Sequence, residues 1–244
     1  MIEIKLFEEH DLAGYTLIEG FPGVGLVGPM ANSYIIESLS MEYIGYISSD
    51  GFPPITAIHG NKPMFPVRIY KDAKDKLAVI ISEFTIPTNL VYQLAEEITE
   101  FVRKYKIERI ISIGGIPNQK PKDVAYFITS EEDLSEKVKK TGIMPIEEGV
   151  VAGVSAILLV NGEQYNIPTI DLLVEVNPTI MDPKYAEVAI LNLNKIINVK
   201  INTEELEKEA KLVETKVRDI LKKTKDSHDS YTKAVDATGP SMYA

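Results

Sequence analysis

Apolar residues recur along the chain with two different periods, which predict strands and helices. The run Leu77–Ile81 is continuously apolar, as expected of a strand that is covered on both faces of a sheet. Over residues 88–105, apolar side chains recur at helical spacing behind a capping residue, Thr88 or Asn89. Ile107–Ile113 is predicted as a second central strand. Together these segments predict a strand, a helix and a further strand in succession.

The remaining segments continue this alternation. Residues 1–12 begin with alternating apolar and charged side chains and predict a half-buried edge strand, and short alternating stretches between residues 55 and 70 predict an antiparallel excursion. Val150–Val160 is predicted as an inner helix, Pro168–Val174 as a strand, and Asp182 as the cap of another helix. The pattern predicts an α/β fold, a three-layer α/β/α sandwich with a largely parallel central sheet.

A glycine-dense turn, Glu19–Gly28, separates the predicted strand Tyr15–Ile18 from a helix that begins near Leu26. It contains the Gly-x-Gly-x-x-Gly fingerprint of dinucleotide-binding units, with Asp50 about 20 residues further on, although an extra segment precedes the fingerprint's first glycine. Three interpretations are open: a dinucleotide site, a turn that only packs the first βα unit, and a non-catalytic anion or partner site. The turn residues of interest are Gly20, Phe21, Pro22, Gly23, Gly25 and Gly28.

Open α/β sheets bind their ligands at the carboxyl ends of the parallel strands. We therefore expect three segments to converge there: the glycine-dense turn, Glu83, and the turn Gly114-Gly115. An enzyme or sensor that binds a nucleotide-like ligand in this crevice is the alternative function that the sequence leaves open. A phosphorylase-type enzyme would need basic or histidine side chains aimed at its phosphate, and these turns contain none.

Composition narrows the range of partners. The 244 residues are 45% apolar, which is enough to bury a sizeable core, and 36 acidic against 26 basic side chains give a net charge of −10. Such a charge opposes binding to nucleic acid. The longest apolar run is far shorter than the ~20 residues that cross a bilayer, so we expect no membrane partner. The lack of cysteine excludes thiol chemistry and is compatible with a reducing cytoplasm.

The sequence predicts no metal, no cofactor and no catalytic group. His10, His59 and His228 lie in unrelated contexts, and none has the spacing of a helical metal pair. Ser155 lies in an apolar run without the glycine pattern of a nucleophile elbow. The sequence also lacks a Walker-type phosphate loop. We therefore expect a protein that is not an enzyme.

Beyond a single α/β domain over residues 1–202, the chain changes character. Residues 203–225 predict a charged helix whose apolar positions follow a heptad spacing for about three heptads. This seam either packs on its own domain or joins subunits. Residues 226–244 carry small, polar and turn-forming types, which predict a flexible tail.

The segment Gly20-Phe21-Pro22-Gly23-Val24-Gly25-Leu26-Val27-Gly28 resembles the opening signature of the proteasome-assembly-chaperone family, specifically its archaeal homologues. The likeness continues through Gly114-Gly115 and the segment Pro168–Asn177 to the last residue. It implies a phosphorylase/hydrolase-type α/β/α sandwich. It also implies a cytoplasmic, non-enzymatic chaperone that assists assembly of the proteasome core particle or opens its gate without ATP.

The last three residues, Met242, Tyr243 and Ala244, are a hydrophobic residue, a tyrosine and any residue, the HbYX pattern. They resemble the terminus by which proteasome activators dock into pockets between α-ring subunits of the core particle, which implies a partner-binding role. The alternative is that they are merely a frayed chain end. Several tails on one body raise avidity roughly 10²–10⁴-fold over one tail. We therefore also expect a homo-oligomer, with a tetramer as the working guess.

Overall fold

The computed structural model describes residues 1–197 and 199–203, together with positions 218, 219, 222, 223, 225, 226 and 229. The strands of this part of the chain are β1 (Ile2–Leu6), β2 (Thr16–Gly20), β3 (Glu42–Ser49), β4 (Ala57–His59), β5 (Lys62–Met64), β6 (Val67–Asp72), β7 (Leu77–Ser82), β8 (Arg109–Pro117), β9 (Ala125–Thr129), β10 (Met144–Pro145) and β11 (Thr169–Val176). Its α-helices are α1 (Val27–Ser38), α2 (Val91–Lys104), α3 (Glu132–Lys139), α4 (Val154–Tyr165) and α5 (Pro183–Ile197).

Nine of the described strands form one sheet in the order β1-β3-β6-β7-β2-β8-β11-β9-β10, and β4 and β5 form a separate hairpin. The central strands β7, β2, β8 and β11 run parallel. Every residue of β2, β7 and β11 is buried, as expected of strands that are covered on both faces. Antiparallel pairing of β6 with β7 and of β9 with β11 extends the sheet on either side. The predicted α/β fold is therefore confirmed, with a parallel centre inside a mixed sheet.

Helices cover both faces of the sheet and complete three layers. Helices α1 and α5 pack on one face, where Met30 and Ile190 are fully buried in the apolar core. Helices α2 and α4 pack on the other face and touch each other, and the side-chain amide of Asn161 there donates a hydrogen bond of 2.9 Å to Thr99 Oγ1. Burial of apolar surface on both faces, at roughly 25 cal/mol per Å², is the main stabilising contribution.

Helix α4 differs from its predicted form. The sequence predicts an inner helix over Val150–Val160, but Val150 is 97% exposed and the helix begins only at Val154. The preceding Gly153 has a φ angle of 95°, a conformation that favours glycine and turns the loop into the helix. The helix then continues beyond its predicted end to Tyr165. Gly162 permits this part of the helix to lie close to β11, because a Cβ atom at position 162 would collide with the side chain of Thr169.

Most of the predicted heptad helix over 203–225 and nearly all of the predicted tail over 226–244 lie outside the described residues. Both stay predictions. The edge position of β1 and the antiparallel excursion formed by β4, β5 and β6 agree with the sequence pattern. Among the described helices, none is long and apolar enough to cross a membrane.

Candidate functional site

The glycine-dense turn packs helix α1 directly onto the sheet. Gly20 ends β2, residues 24–26 form a 3-10 turn, and α1 begins at Val27. A Cβ atom at Gly20 would lie 2.7 Å from the backbone of Gly28, and a Cβ atom at Gly28 would lie 2.7 Å from the carbonyl oxygen of Ile113 in β8. Both positions therefore require glycine, because the backbones touch. The geometry favours the packing interpretation for this pair of glycines.

The glycines of β8 meet the same turn from the neighbouring strand. A Cβ atom at Gly115 would collide with the carbonyl oxygen of Val24, and Gly114 lies against Leu173 of β11. Gly25 has a φ angle of 69° and packs on the side chain of Val176. The predicted convergence of the glycine-dense turn with Gly114-Gly115 at the carboxyl ends of the strands is thus present.

A cavity of about 660 Å³ opens where these segments meet, and we call it the strand-end crevice. Its lining consists of Glu19, residues 21–24, residues 113–117, residues 146–155, Ile128 and Leu173. The volume lies within the range of small-molecule sites in proteins. The crevice is open to solvent along residues 147–150, which are exposed.

Two buried acids lie in one row of the sheet at the crevice. Glu19 of β2 pairs in register with Ser112 of β8, and Ser112 pairs with Asp171 of β11. Residues of one row on parallel strands project from the same face, here the face covered by α2 and α4. Glu19 and Asp171 are only 2% and 1% exposed. Burial raises the pKa of each carboxyl to about 7, and the negative charge of Asp171 also raises the pKa of Glu19.

The hydrogen bonds of these two acids are few. Glu19 Oε2 accepts one from the backbone N–H of Phe21 at 3.2 Å. Neither carboxyl oxygen of Asp171 accepts a well-formed hydrogen bond, and its polar neighbour is Ser155 in the first turn of α4. A carboxyl group with a pKa near 7 can hold or release a proton close to neutrality. Such groups in a cleft are candidates for a functional site.

Glu83 does not line the crevice, contrary to the prediction. Its carboxylate is 7% exposed and pairs with Arg68 of β6 and His59 of β4. Burial opposes its ionisation, but the bonds with His59 and Arg68 hold the pKa of Glu83 below its usual range. This ion pair ties the β4–β5 hairpin to the sheet, which is a structural role.

The fold does not support the dinucleotide interpretation of the turn. In a dinucleotide-binding unit, the strand after the first helix runs parallel beside the first strand. Here β3 follows α1 but pairs antiparallel with β1 and β6, while β2 lies between β7 and β8. Asp50 is exposed and binds the amino group of Met1. The charged side chains that line the crevice are glutamates, which also disfavours a phosphate-bearing ligand.

One group of potential metal ligands occurs among the described residues. The ligand atoms of Glu8, His10 and Glu42 all lie within 4.8 Å of one another. However, Lys71 Nζ lies 3.2 Å from the Glu42 carboxylate and 2.9 Å from His10 Nδ1. The ammonium group already supplies the positive charge that these carboxylates attract, so we assign no metal to them.

Glu19 and Asp171 are the site residues that sequence reasoning misses, although a signal is present. Glu19 is the one acid of β2 and Asp171 is one of two acids of β11, and the other residues of both strands are mainly apolar. An acid in such a strand must be buried, so it calls for a partner or a function. Ser155 is not a predicted catalytic residue, and the structure places it beside Asp171 at the crevice.

The predicted partner-binding residues Met242, Tyr243 and Ala244 lie outside the described residues. Their role therefore stays a prediction that rests on the sequence.

The sequence model of the PAC2 family matches residues 17–221. The chain belongs to the PAC2 family. The matched region includes the glycine-dense turn, the strand-end crevice and both buried acids. Together with the structural likeness below, this membership confirms the resemblance to archaeal proteasome-assembly-chaperone homologues.

Several relatives resemble the chain over most of their length. A protein of Methanocaldococcus jannaschii, described as uncharacterized, is 33% identical over 84% of this chain and 84% of its own. The crystal structure of Pyrococcus furiosus PbaA, an archaeal homolog of proteasome-assembly chaperone, is similar with a TM-score of 0.83 and 28% identity, covering 92% of this chain and 99% of PbaA. Pyrococcus furiosus PbaB, an archaeal proteasome activator, shares the fold at a TM-score of 0.75 and 24% identity, covering 90% of this chain and 98% of PbaB.

Proposed function

We propose that the protein is a non-enzymatic, ATP-independent cytoplasmic partner of the proteasome core particle, which assists its assembly or opens its gate. The observation that carries this proposal is membership of the PAC2 family, together with the likeness to PbaA over nearly the whole chain. The terminal Met242-Tyr243-Ala244 supports the same partner, because its pattern resembles the docking terminus of proteasome activators.

The proposed contact is made by the last three residues, which enter a pocket between two α-ring subunits. Tyr243 offers a rigid amphipathic ring with one hydroxyl group, and Met242 offers an adaptable apolar side chain. A flexible segment of the length of 226–243 would have a root-mean-square span of roughly 20–25 Å and a maximum reach of ~60 Å. Each contact is modest and ordering the tail opposes binding, so one tail alone binds weakly.

We propose that several copies of the chain act together, with a tetramer as the working guess. A multi-pocket ring accepts several tails at once, and linked tails gain roughly 10²–10⁴-fold in avidity over one tail. Light scattering at micromolar protein concentration tests this step. A mass near the 27.2 kDa of one chain would contradict it.

The docking residues are tested with purified full-length protein and archaeal core particle. The variant Tyr243→Ala is compared with Tyr231→Ala, which removes a second tyrosine from the same predicted tail. We expect Tyr243→Ala to lose core-particle binding and stimulated peptide hydrolysis by at least about tenfold, since a truncated anchor residue typically costs more than about 1–2 kcal/mol. Tyr231→Ala should retain both, and both variants should keep the oligomeric state.

If Tyr243→Ala binds and stimulates as well as Tyr231→Ala, the tail is not the docking element. The interaction surface would then lie on the α/β body. If neither the unchanged protein nor any variant binds the core particle, the proposed function itself is wrong.

A further inference from the structure

Most buried carboxylates in the described part of the chain have partners that compensate their charge. Glu83 pairs with Arg68 and His59. Glu175 accepts hydrogen bonds from the Asn118 amide at 2.8 Å, the backbone N–H of Lys122 at 2.9 Å and the Tyr126 hydroxyl at 3.1 Å. Glu187 pairs with Lys184 at 2.7 Å. This is the ordinary state of a buried acid, because an uncompensated charge in the interior is strongly unfavourable.

The two acids of the crevice depart from this pattern. Glu19 has one backbone N–H as a donor and the Ser112 hydroxyl as a polar neighbour, and Asp171 has no well-formed hydrogen bond to either oxygen. No described lysine, arginine or histidine forms an ion pair with either of them within 4.0 Å. The acids are therefore almost fully buried and lack a counter-charge.

One of the two acids lines the strand-end crevice, and the other lies beside its lining. Glu19 is part of its lining. Asp171 projects from the same side of β11 as Leu173, which also lines it, and the polar neighbour of Asp171, Ser155, is a lining residue as well. Glu19 is therefore accessible from a cavity that is large enough for a ligand, and Asp171 lies next to that cavity.

The charge of the crevice has one sign. Its charged lining residues are the buried Glu19 and the exposed Glu147 and Glu148, and the lining contains no lysine, arginine or histidine. Asp171 adds a fourth acid beneath the floor. An anionic ligand would meet three carboxyl groups with a fourth close by, whereas a cationic ligand would meet acids at the mouth and at the base.

The remaining walls of the crevice are apolar. Phe21, Ile116, Ile128, Ile146 and Leu173 are among the lining residues. A bare divalent cation of the Ca²⁺ type takes six to eight oxygen ligands, which such walls do not supply. An ammonium or guanidinium group attached to an apolar body matches both the acids and the walls.

We propose that the strand-end crevice binds a small organic cation, an ammonium or guanidinium group on an aliphatic body, with Glu19 as its ionic partner and Asp171 beneath it. Glu147 and Glu148 draw the cation to the mouth, and the aliphatic body lies against the apolar walls. Bound in this way, the ligand supplies the counter-charge that the described residues do not supply.

One element of the crevice favours the opposite charge and has to be part of the test. The first turn of α4, at Val154 and Ser155, lines the cavity, and the N-terminus of a helix attracts anions. Asp171 lies beside that turn, so a carboxyl group of the protein itself is already present at this helix N-terminus. Phosphate is therefore included as a probe.

The full-length protein is titrated with four probes and followed by thermal unfolding and calorimetry. Agmatine and 1,5-diaminopentane are the cationic probes, 1,5-pentanediol is the neutral match of the diamine, and inorganic phosphate is the anion. We expect both cations at millimolar concentration to raise the melting temperature by a few degrees. The diol and phosphate should leave it unchanged.

The variants locate the site. Glu19→Gln keeps the shape of the side chain but not its charge and should weaken binding of the diamine by at least about tenfold, since hydrogen bonds to a charged group are the strong ones. Asp171→Asn should weaken it in the same direction, and Glu96→Gln, an exposed residue of α2, should not change it.

Three results would overturn the proposal. Equal stabilisation by the diamine and the diol would show that charge is not recognised. Stabilisation by phosphate but not by the cations would assign an anion site at α4. Unchanged binding of the diamine by both Glu19→Gln and Asp171→Asn would place the cation elsewhere. The core particle is absent from this experiment, so its result is independent of the tail.

Discussion

Replacing Glu19 with glutamine should change how the stability of the protein depends on pH. Burial raises the pKa of Glu19 from 4.5 to about 7 in the folded protein. Between these two values the folded state binds more protons than the unfolded state, so the free energy of unfolding falls as the pH rises through this window. The loss is absent well below pH 4.5 and complete above about pH 7.

The magnitude follows from the difference between the two pKa values. A shift of 7 − 4.5 = 2.5 corresponds to roughly 3 kcal/mol, since each pKa unit is about 1.4 kcal/mol. Between about pH 5 and about pH 8, most of this difference, about 2–3 kcal/mol, should appear as lost stability. Glutamine does not ionise, so Glu19→Gln should lose less stability than the unchanged protein over the same range. Asp171 contributes to the slope of both proteins, and its electrostatic coupling to Glu19 is part of the difference between them.

The assay is urea unfolding at both pH values, with the free energy of unfolding obtained by linear extrapolation. Glu96→Gln is the matched control, because it removes an exposed acid from α2 and should follow the unchanged protein. From about pH 5 to about pH 8, the free energy of unfolding should fall less for Glu19→Gln than for the control. Parallel behaviour of the two variants at both pH values would refute the assignment of a proton to Glu19 near neutrality.

Two further predictions concern packing and the buried ion pair. Gly28→Ala should destabilise the protein by about 2–3 kcal/mol, because the added Cβ atom would lie 2.7 Å from backbone atoms of Gly20 and Ile113. Urea unfolding measures this change. The control is Gly149→Ala, whose Cβ atom would have its nearest neighbour at 3.6 Å and which should change the stability little. Glu83→Gln should cost about 3–5 kcal/mol by leaving the 4%-exposed Arg68 without its carboxylate. Its control, Glu136→Gln, removes an exposed pair with Lys139 and should change the stability little. Equal unfolding free energies for either variant and its control would contradict the corresponding prediction.

The central layers of the fold were predictable because burial leaves a direct mark on the sequence. Leu77–Ile81 is apolar at every position, and it forms most of the fully buried strand β7. The stripe of α2 likewise follows the helical period, and Leu94, Ile98 and Val102 are buried as that period requires. These elements depend on residues that are close in the sequence, so a local pattern suffices to identify them.

The site was only partly predictable because its composition depends on pairings between distant segments. The convergence of the glycine-dense turn with Gly114-Gly115 follows from the general rule for strand ends. Glu83 obeys the same rule in position, but its partners Arg68 and His59 come from the antiparallel excursion and hold it away from the crevice. Residues 147–153 line the crevice as an extended loop, which the apolar run Val150–Val160 does not reveal.

The carboxyl ends of β2, β8 and β11 meet two opposing physical demands. Contacts between glycine backbones, such as that of Gly20 with Gly28, hold the strand ends and helix α1 close together and stabilise the fold. In the same place, Glu19 and Asp171 destabilise the fold whenever they ionise, and an apolar residue or glutamine would remove this effect. Local features that oppose stability are characteristic of functional sites, where a bound ligand compensates the buried charge that the protein alone leaves without a partner. Because Glu19 lines the crevice and Asp171 lies beside Ser155 of its lining, a ligand there explains these acids better than the stability of the fold does.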